Sequence, residues 1–430
     1  MVSSWHNEIK NGTDPTREIM VKLLWIGFII YTLGYVTSTA EAISYVAGNF
    51  IQVIGLMCFV PSFVYLLSWK LENKYLSELL LIYILWIIVI LLRGIKFDYD
   101  TIKQLLFDPD GGIFLYLIPL FLLIPLTPSF LKKVFFVILV LGVIYVIYDI
   151  VFIKNLIYAG DNMRSQAIIE RFTQFLSLPC GYLIITSIYH RKKISLFALF
   201  VMALTFLLAV IRARRGLMFM SLSMMIVAMV FYQINNKAKV VNIVLSFFFV
   251  LIVAFGSIKL YENNSKTTFS LITERIGQQT RKEVEHYFYR DLTTKDWIIG
   301  KGFNGKYFCP GVNEGPGRIS IYRTVIETGY LQIILNGGLI SLIIMLLIVI
   351  PSIIKGIFYS KNTLAKAVGC WIFLFLLYMY PGSMTVFSLY YILVWISVGI
   401  CYSKTLLNLT DEEIAKELLS RDKIVQRSGF

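Results

Sequence analysis

The chain has 430 residues, 57% of them hydrophobic and 15% charged, with a mean hydropathy of +0.73. That composition excludes a soluble domain and predicts an all-α polytopic membrane protein, since about twenty apolar residues cross a bilayer core and runs of that length recur. Much of the formal charge of +14 sits in short Lys-rich loops, the positive-inside signature, so nucleic acid is not an expected partner.

Apolar runs near 20–39, 42–69, 76–92, 112–126, 131–153, 174–189, 194–211, 216–234, 240–258, 329–350, 364–380 and 385–402 predict about twelve transmembrane helices. The fourth is the shortest, because Pro119 and Pro125 interrupt it. Ala40-Glu41-Ala42 loosely resembles a signal-peptidase site, but Val21 to Thr39 is long enough to span, so an uncleaved first helix is expected. Among the charged residues few fall inside the runs, and Asp149 is the clearest exception.

Orientation follows from alternate loops. Lys10, Arg17 and Lys22, then Lys70 and Lys74, Lys132 and Lys133, Arg191 to Lys193, Lys237 and Lys239, Lys355, Lys361 and Lys366, and Lys404 form one set. These loops are short and poor in acids, so they read as cytoplasmic, with both termini inside. The other set faces outside: Glu41, Arg93 to Asp110, Lys154 to Arg171, the long polar stretch and Pro381-Gly382-Ser383. The expected organisation is nine spans in 1–258, a large outer loop in 259–327, three spans in 328–402 and a cytoplasmic tail in 403–430.

One short loop opposes the charge bias. Ile211 to Gly216 reads IRARRG, and the alternation puts Arg212, Arg214 and Arg215 outside. Arginines on the translocated side are costly unless something there needs them. An ordinary cytoplasmic turn, with a different count of spans, and snorkelling to lipid headgroups are the plain alternatives. The long outer loop adds Arg275, Arg281, Arg290 and Arg323, then WIIGKGFNGKYF and Gly315-Pro316-Gly317, and leads into IETGYLQIILNGGLI. Arginine donates paired hydrogen bonds to phosphate oxygens and keeps its charge, so these clusters predict an anion site at a membrane surface. A membrane-anchored polyprenyl pyrophosphate fits it.

Cys58, Cys180, Cys370 and Cys401 lie in or beside apolar runs and only Cys309 lies in the long loop, so no intrachain disulfide is expected there. With no zinc-type Cys/His spacing, phosphate loop or H-E-x-x-H, neither a metal nor another cofactor is expected. Asp98-Tyr99-Asp100 and Asp108-Pro109-Asp110 leave open a metal held against the pyrophosphate.

The order of an outer Arg-Gly turn, a long arginine-bearing loop, IIGKGFNG and an LQIILNGGLI span resembles the bacterial O-antigen polymerase and O-antigen ligase superfamily. These are membrane glycosyltransferases acting on undecaprenyl-pyrophosphate-linked glycans. The resemblance covers the hydropathy plan and, in motifs, Ile211 to Leu339. It implies that Arg215 in Arg215-Gly216 matches one family arginine and Arg281 in QQTRKEVEHYF the other, with Arg275 the competing match. The ligases carry a His-Asn pair before the next span. Here Glu327-Thr328-Gly329-Tyr330 stands in its place, which favours polymerase over ligase and leaves the base without a family counterpart.

The resemblance then implies transfer of a growing glycan from its lipid pyrophosphate to a sugar hydroxyl of another lipid-linked unit, with inversion and no metal. Arg215, Arg281 and Glu327 are the expected catalytic residues; Arg212, Arg214, Arg275, Arg290, Arg323 and Tyr330 are the expected substrate-binding residues. An ion pair with Arg323, four residues earlier, is the structural alternative for Glu327. Expected partners are the undecaprenyl-pyrophosphate-linked oligosaccharide, membrane lipids and, from the resemblance alone, a chain-length regulator. The expected place is a bacterial cell membrane with the site facing outward. A transporter or flippase of lipid-linked sugars is the non-enzyme alternative.

Overall fold

The computed structural model describes residues 5, 14–95, 98–158, 163–235, 280–310 and 321–419. The expected span at 240–258, Arg275, Gly315-Pro316-Gly317 and the tail beyond 419 lie outside the described residues.

The first two helices set the packing style. Asp14 caps α1 (Pro15–Thr39) by accepting from the Thr16 amide at 3.0 Å, and Ser44 caps α2 (Tyr45–Leu66). Glycines seven apart on each helix face one another: a β-carbon on Gly27 would stand 2.6 Å from the Gly55 carbonyl oxygen, and one on Gly34 would stand 2.9 Å from that of Gly48. The two backbones therefore touch, the close approach that small residues allow between apolar helices.

Next come α3 (Lys74–Leu92), the short amphipathic α4 (Tyr99–Phe107) and α5 (Ile113–Leu117), which tightens into a 3-10 turn over Ile118–Leu123. After α6 (Pro128–Val151), the chain runs through α7 (Met163–Phe172), a π turn over Thr173–Ser177 and α8 (Cys180–Ile185). Helices α9 (Lys192–Ile211) and α10 (Arg215–Asn235) follow. The polar segment supplies α11 (Thr280–Asp291), α12 (Thr294–Ile299) and an antiparallel pair of two-residue strands, β1 (Tyr307–Phe308) and β2 (Tyr322–Arg323). The C-terminal part holds α13 (Gly329–Phe358), α14 (Thr363–Tyr378), α15 (Leu389–Tyr402), α16 (Lys404–Asn408) and α17 (Asp411–Leu419).

Among the described residues, seven helices are long and apolar enough to cross a membrane: α1, α2, α3, α6, α9, α10 and α13. Three expected spans are shorter apolar helices, over Ile113–Leu123, Thr363–Tyr378 and Leu389–Tyr402. The run at 174–189 is a broken rod, with Pro179 at the joint between the π turn and α8. Helix α15 is apolar all round and buried over nearly its whole length, as a helix at the centre of a bundle must be.

Helix α13 breaks at Gly338, whose φ of 68° and ψ of −174° interrupt the ladder. A break strands carbonyl oxygens, and in an apolar setting each needs another donor. The Leu335 oxygen accepts from the Lys301 amide at 2.7 Å, that of Asn336 from the Gly302 amide at 2.9 Å, and that of Gly337 from the Trp86 indole at 3.0 Å. Arg93, at the end of α3, donates to the Ile299 and Gly300 oxygens, both at 2.7 Å. The IIGKGFNG segment is thereby riveted to the broken helix, with Gly300 and Gly302 at φ of 70° and 88°.

Candidate functional site

Helix α11 is polar outside and docks by one face. Val284 and Phe288, four apart, enter a small core with Leu292, Tyr307, Ile326, Leu331, Ile334 and Leu335. Beside them Arg281 and Glu285, also four apart, face the start of α13. Glu285 accepts from the Thr328 hydroxyl at 2.5 Å, and the Arg281 Nε pairs with Glu327 at 3.1 Å. That start is also held by Gln332, which accepts from the Ile326 amide at 2.8 Å, and by the Met379 oxygen, which takes the Gly329 amide at 2.7 Å.

The Arg281 Nη2 donates to the Pro381 oxygen. Gly216 lies close to the same group, since a β-carbon there would stand 3.4 Å from the Pro381 oxygen. The Pro381-Gly382 turn thus joins Arg281 and Glu327 to the start of α10, where Arg215 is the first, exposed residue. Of the Arg281 and Glu327 side chains, 41% and 53% are exposed, so the pair lies open to a ligand.

The turn that presents Arg215 ends α9 with a left-handed residue. Ala213 has φ of 53°; its amide bonds to the Val210 oxygen at 3.1 Å and the Arg214 amide to the Ala209 oxygen at 2.8 Å. This is the Schellman pattern, with alanine where glycine is usual. Arg212 is buried in that turn, at 3% exposure. Arg214 reaches α7, pairing with Glu170 at 2.8 Å and donating to Gln166 at 2.7 Å.

The remaining expected residues are more scattered. Arg290 is nine residues beyond Arg281 on α11, hence about 13 Å along the axis and on the opposite face. Arg323 sits in β2, across from Tyr307. The Tyr330 hydroxyl donates to the Leu376 oxygen, between α13 and α14. Arg281 and Glu327 therefore meet at Pro381, beside the Arg215-Gly216 start of α10, while Arg214 has a local tie of its own and Arg290 lies on the opposite face of α11.

The acidic pairs have their own places. Asp98 caps α4 through the Thr101 amide at 2.8 Å, and Asp110 takes a two-pronged pair from Arg171, at 2.6 and 2.8 Å. Burial, and then the charge of Asp110, push the Asp108 carboxyl up to about 6. Among the described residues no group of three or more His, Cys, Asp or Glu side chains is placed to hold a metal.

Sequence reasoning did not single out Arg93, Arg171 or the Pro381 carbonyl. Arg93 and Arg171 stood in loops of mixed charge with no local pattern, and a backbone carbonyl has no sequence signal beyond the Pro-Gly turn that exposes it. The chain matches no family model, no curated protein and no solved structure.

Proposed function

We propose that this chain is a membrane glycosyltransferase of the polysaccharide-polymerase type, acting at the outer face of a bacterial cell membrane. In this reading about twelve spans place both termini inside and the 259–327 loop outside. The observation that carries the reading is the convergence of Arg281, Glu327 and the Arg215 end of α10 on Pro381, from three separate parts of the chain. Two arginines and a helix N-terminus beside one carboxylate suit a pyrophosphate ester whose leaving group gains charge.

Arg215 and Arg281 hold the pyrophosphate of the donor lipid. Its oxygens compete with Glu327 for Arg281, and the freed carboxylate then accepts the proton of the acceptor sugar hydroxyl. That hydroxyl oxygen bonds to the anomeric carbon as the bond from that carbon to the pyrophosphate breaks. The lipid pyrophosphate leaves with the electron pair, and attack from the opposite face inverts the centre. No step calls on a metal.

The test is gel analysis of lipid-linked and surface glycan from cells with the gene deleted and then restored. Collapse of a ladder to a single repeat unit on deletion, reversed by wild type but not by Arg215→Ala or Arg281→Ala, is the expected result. Full-length polymer retained on the carrier lipid would mean a ligase instead. Single units held on the cytoplasmic side would mean a transporter.

A further inference from the structure

Asp149 sits in the last turn of α6, 6% exposed, and both its carboxyl oxygens are buried without a hydrogen-bond partner among the described residues. A second orphan lies close by. Thr173, which opens the π turn, is fully buried, and its Oγ1 also has no partner among the described residues. The Tyr145 hydroxyl, one helical turn before Asp149, faces both side chains. Behind it Thr205 bonds to Tyr145 at 3.2 Å and to Ser177 at 2.9 Å, and donates to the Val201 oxygen at 2.8 Å. The two carboxyl oxygens of Asp149 thus lie near two hydroxyls, those of Tyr145 and Thr173, with no geometric hydrogen bond to either oxygen among the described residues.

A carboxylate withdrawn from water is costly unless a positive charge meets it. Among the described residues no Lys, Arg or His is placed against Asp149, and the Tyr145 hydroxyl is the polar group that faces it. Carboxylate and hydroxyl oxygens gathered at an irregular helical turn are the donor set of a hard cation, and irregular backbone inside a membrane bundle is tolerated where it lines such a site. A single carboxylate matches a single charge. We propose that Asp149, Tyr145 and Thr173 bind a monovalent cation, sodium by the hardness of the oxygen set, with Ser177 and Thr205 orienting Tyr145. The site is separate from the Pro381 patch and does not depend on the glycosyltransferase reading.

The test uses the purified full-length chain in detergent, first in choline chloride and then with NaCl, KCl or more choline chloride at equal ionic strength. The expected result is a saturable rise in melting temperature with sodium alone, with matching binding of radioactive sodium. Asp149→Asn should abolish both, and Thr173→Val should weaken both. In choline, Asp149→Asn should melt no lower than wild type, which separates loss of the site from loss of the fold. Equal effects of all three salts, or a sodium effect that survives Asp149→Asn, would overturn the proposal. So would stability that follows pH while sodium is inert, because the carboxyl would then carry a proton instead.

Discussion

A β-carbon on Gly338 would stand 2.1 Å from the carbonyl oxygen of Ile298. No side chain fits there, and the φ of 68° with ψ of −174° belongs to a region that only glycine occupies readily. The break in α13 and the contact with α12 are therefore one feature, fixed by one residue.

Gly338→Ala is expected to destabilise the protein by at least about 3 kcal/mol, combining backbone strain with a clash that neither backbone can relieve. Apparent melting in detergent checks it. Gly382→Ala is the control, because a β-carbon there would meet only the end of the Met220 side chain, at 3.5 Å.

Trp86 carries a different share of the same break. Its indole N–H serves the Gly337 oxygen at 3.0 Å and the Ser341 hydroxyl at 2.8 Å. Trp86→Phe removes the donor together with the five-membered ring, so its loss includes a packing share beside the hydrogen bonds. The stranded carbonyl should cost about 1–3 kcal/mol. A melting temperature equal to that of wild type would mean that another donor takes over.

Much of this architecture is legible in the residues, and the limits are physical. The loop glycines, the Pro381-Gly382 turn and the Arg215-Gly216 turn all stand out because glycine and proline mark backbone geometry locally. Hydropathy finds apolar runs but not the path of the backbone within them, so the break at Pro179 and the short α14 and α15 differ from the expected spans. The partner of Glu327 is the sharper case. Spacing offered Arg323, four residues away, yet Arg281 arrives from 46 residues upstream because Val284 and Phe288 anchor α11 beside it. Arg214 looked like an anion ligand, and only the folded chain places Glu170 and Gln166 within its reach.

His190 should make stability depend on pH. It is partly buried, packed edge-on against Phe135 with ring centres 4.5 Å apart, and this withdrawal from water lowers its pKa from 6.5 to about 4. The folded state thus keeps the ring neutral while the unfolded chain takes up a proton near pH 6.5. Its contribution is fully present above that pH and is lost as pH falls toward 4, by about 3 kcal/mol in total. Melting curves of wild type and His190→Gln between about pH 8 and about pH 4, the window set by the two pKa values, check this. The variant's curve should be flatter over that window, and parallel curves would show that the ring does not titrate in this way.

Arg281→Ala separates the two roles of the Pro381 patch. The ion pair with Glu327 is half-exposed, so its loss should cost no more than about 1 kcal/mol. The bond to the Pro381 oxygen adds a comparable amount, which leaves α11 held by Val284 and Phe288. The folded protein should therefore accumulate at near-normal levels, while on the proposed polymerase reading chain growth on the carrier lipid stops. Arg281→Lys keeps the charge but loses the planar fork, so it should shorten the chains without abolishing them. Glu327→Gln should preserve pyrophosphate binding and fail in transfer, so that single repeat units build up on the lipid. If Arg281→Ala cells make polymer of normal length, Arg281 is a brace for the Pro381 turn and the anion site lies elsewhere.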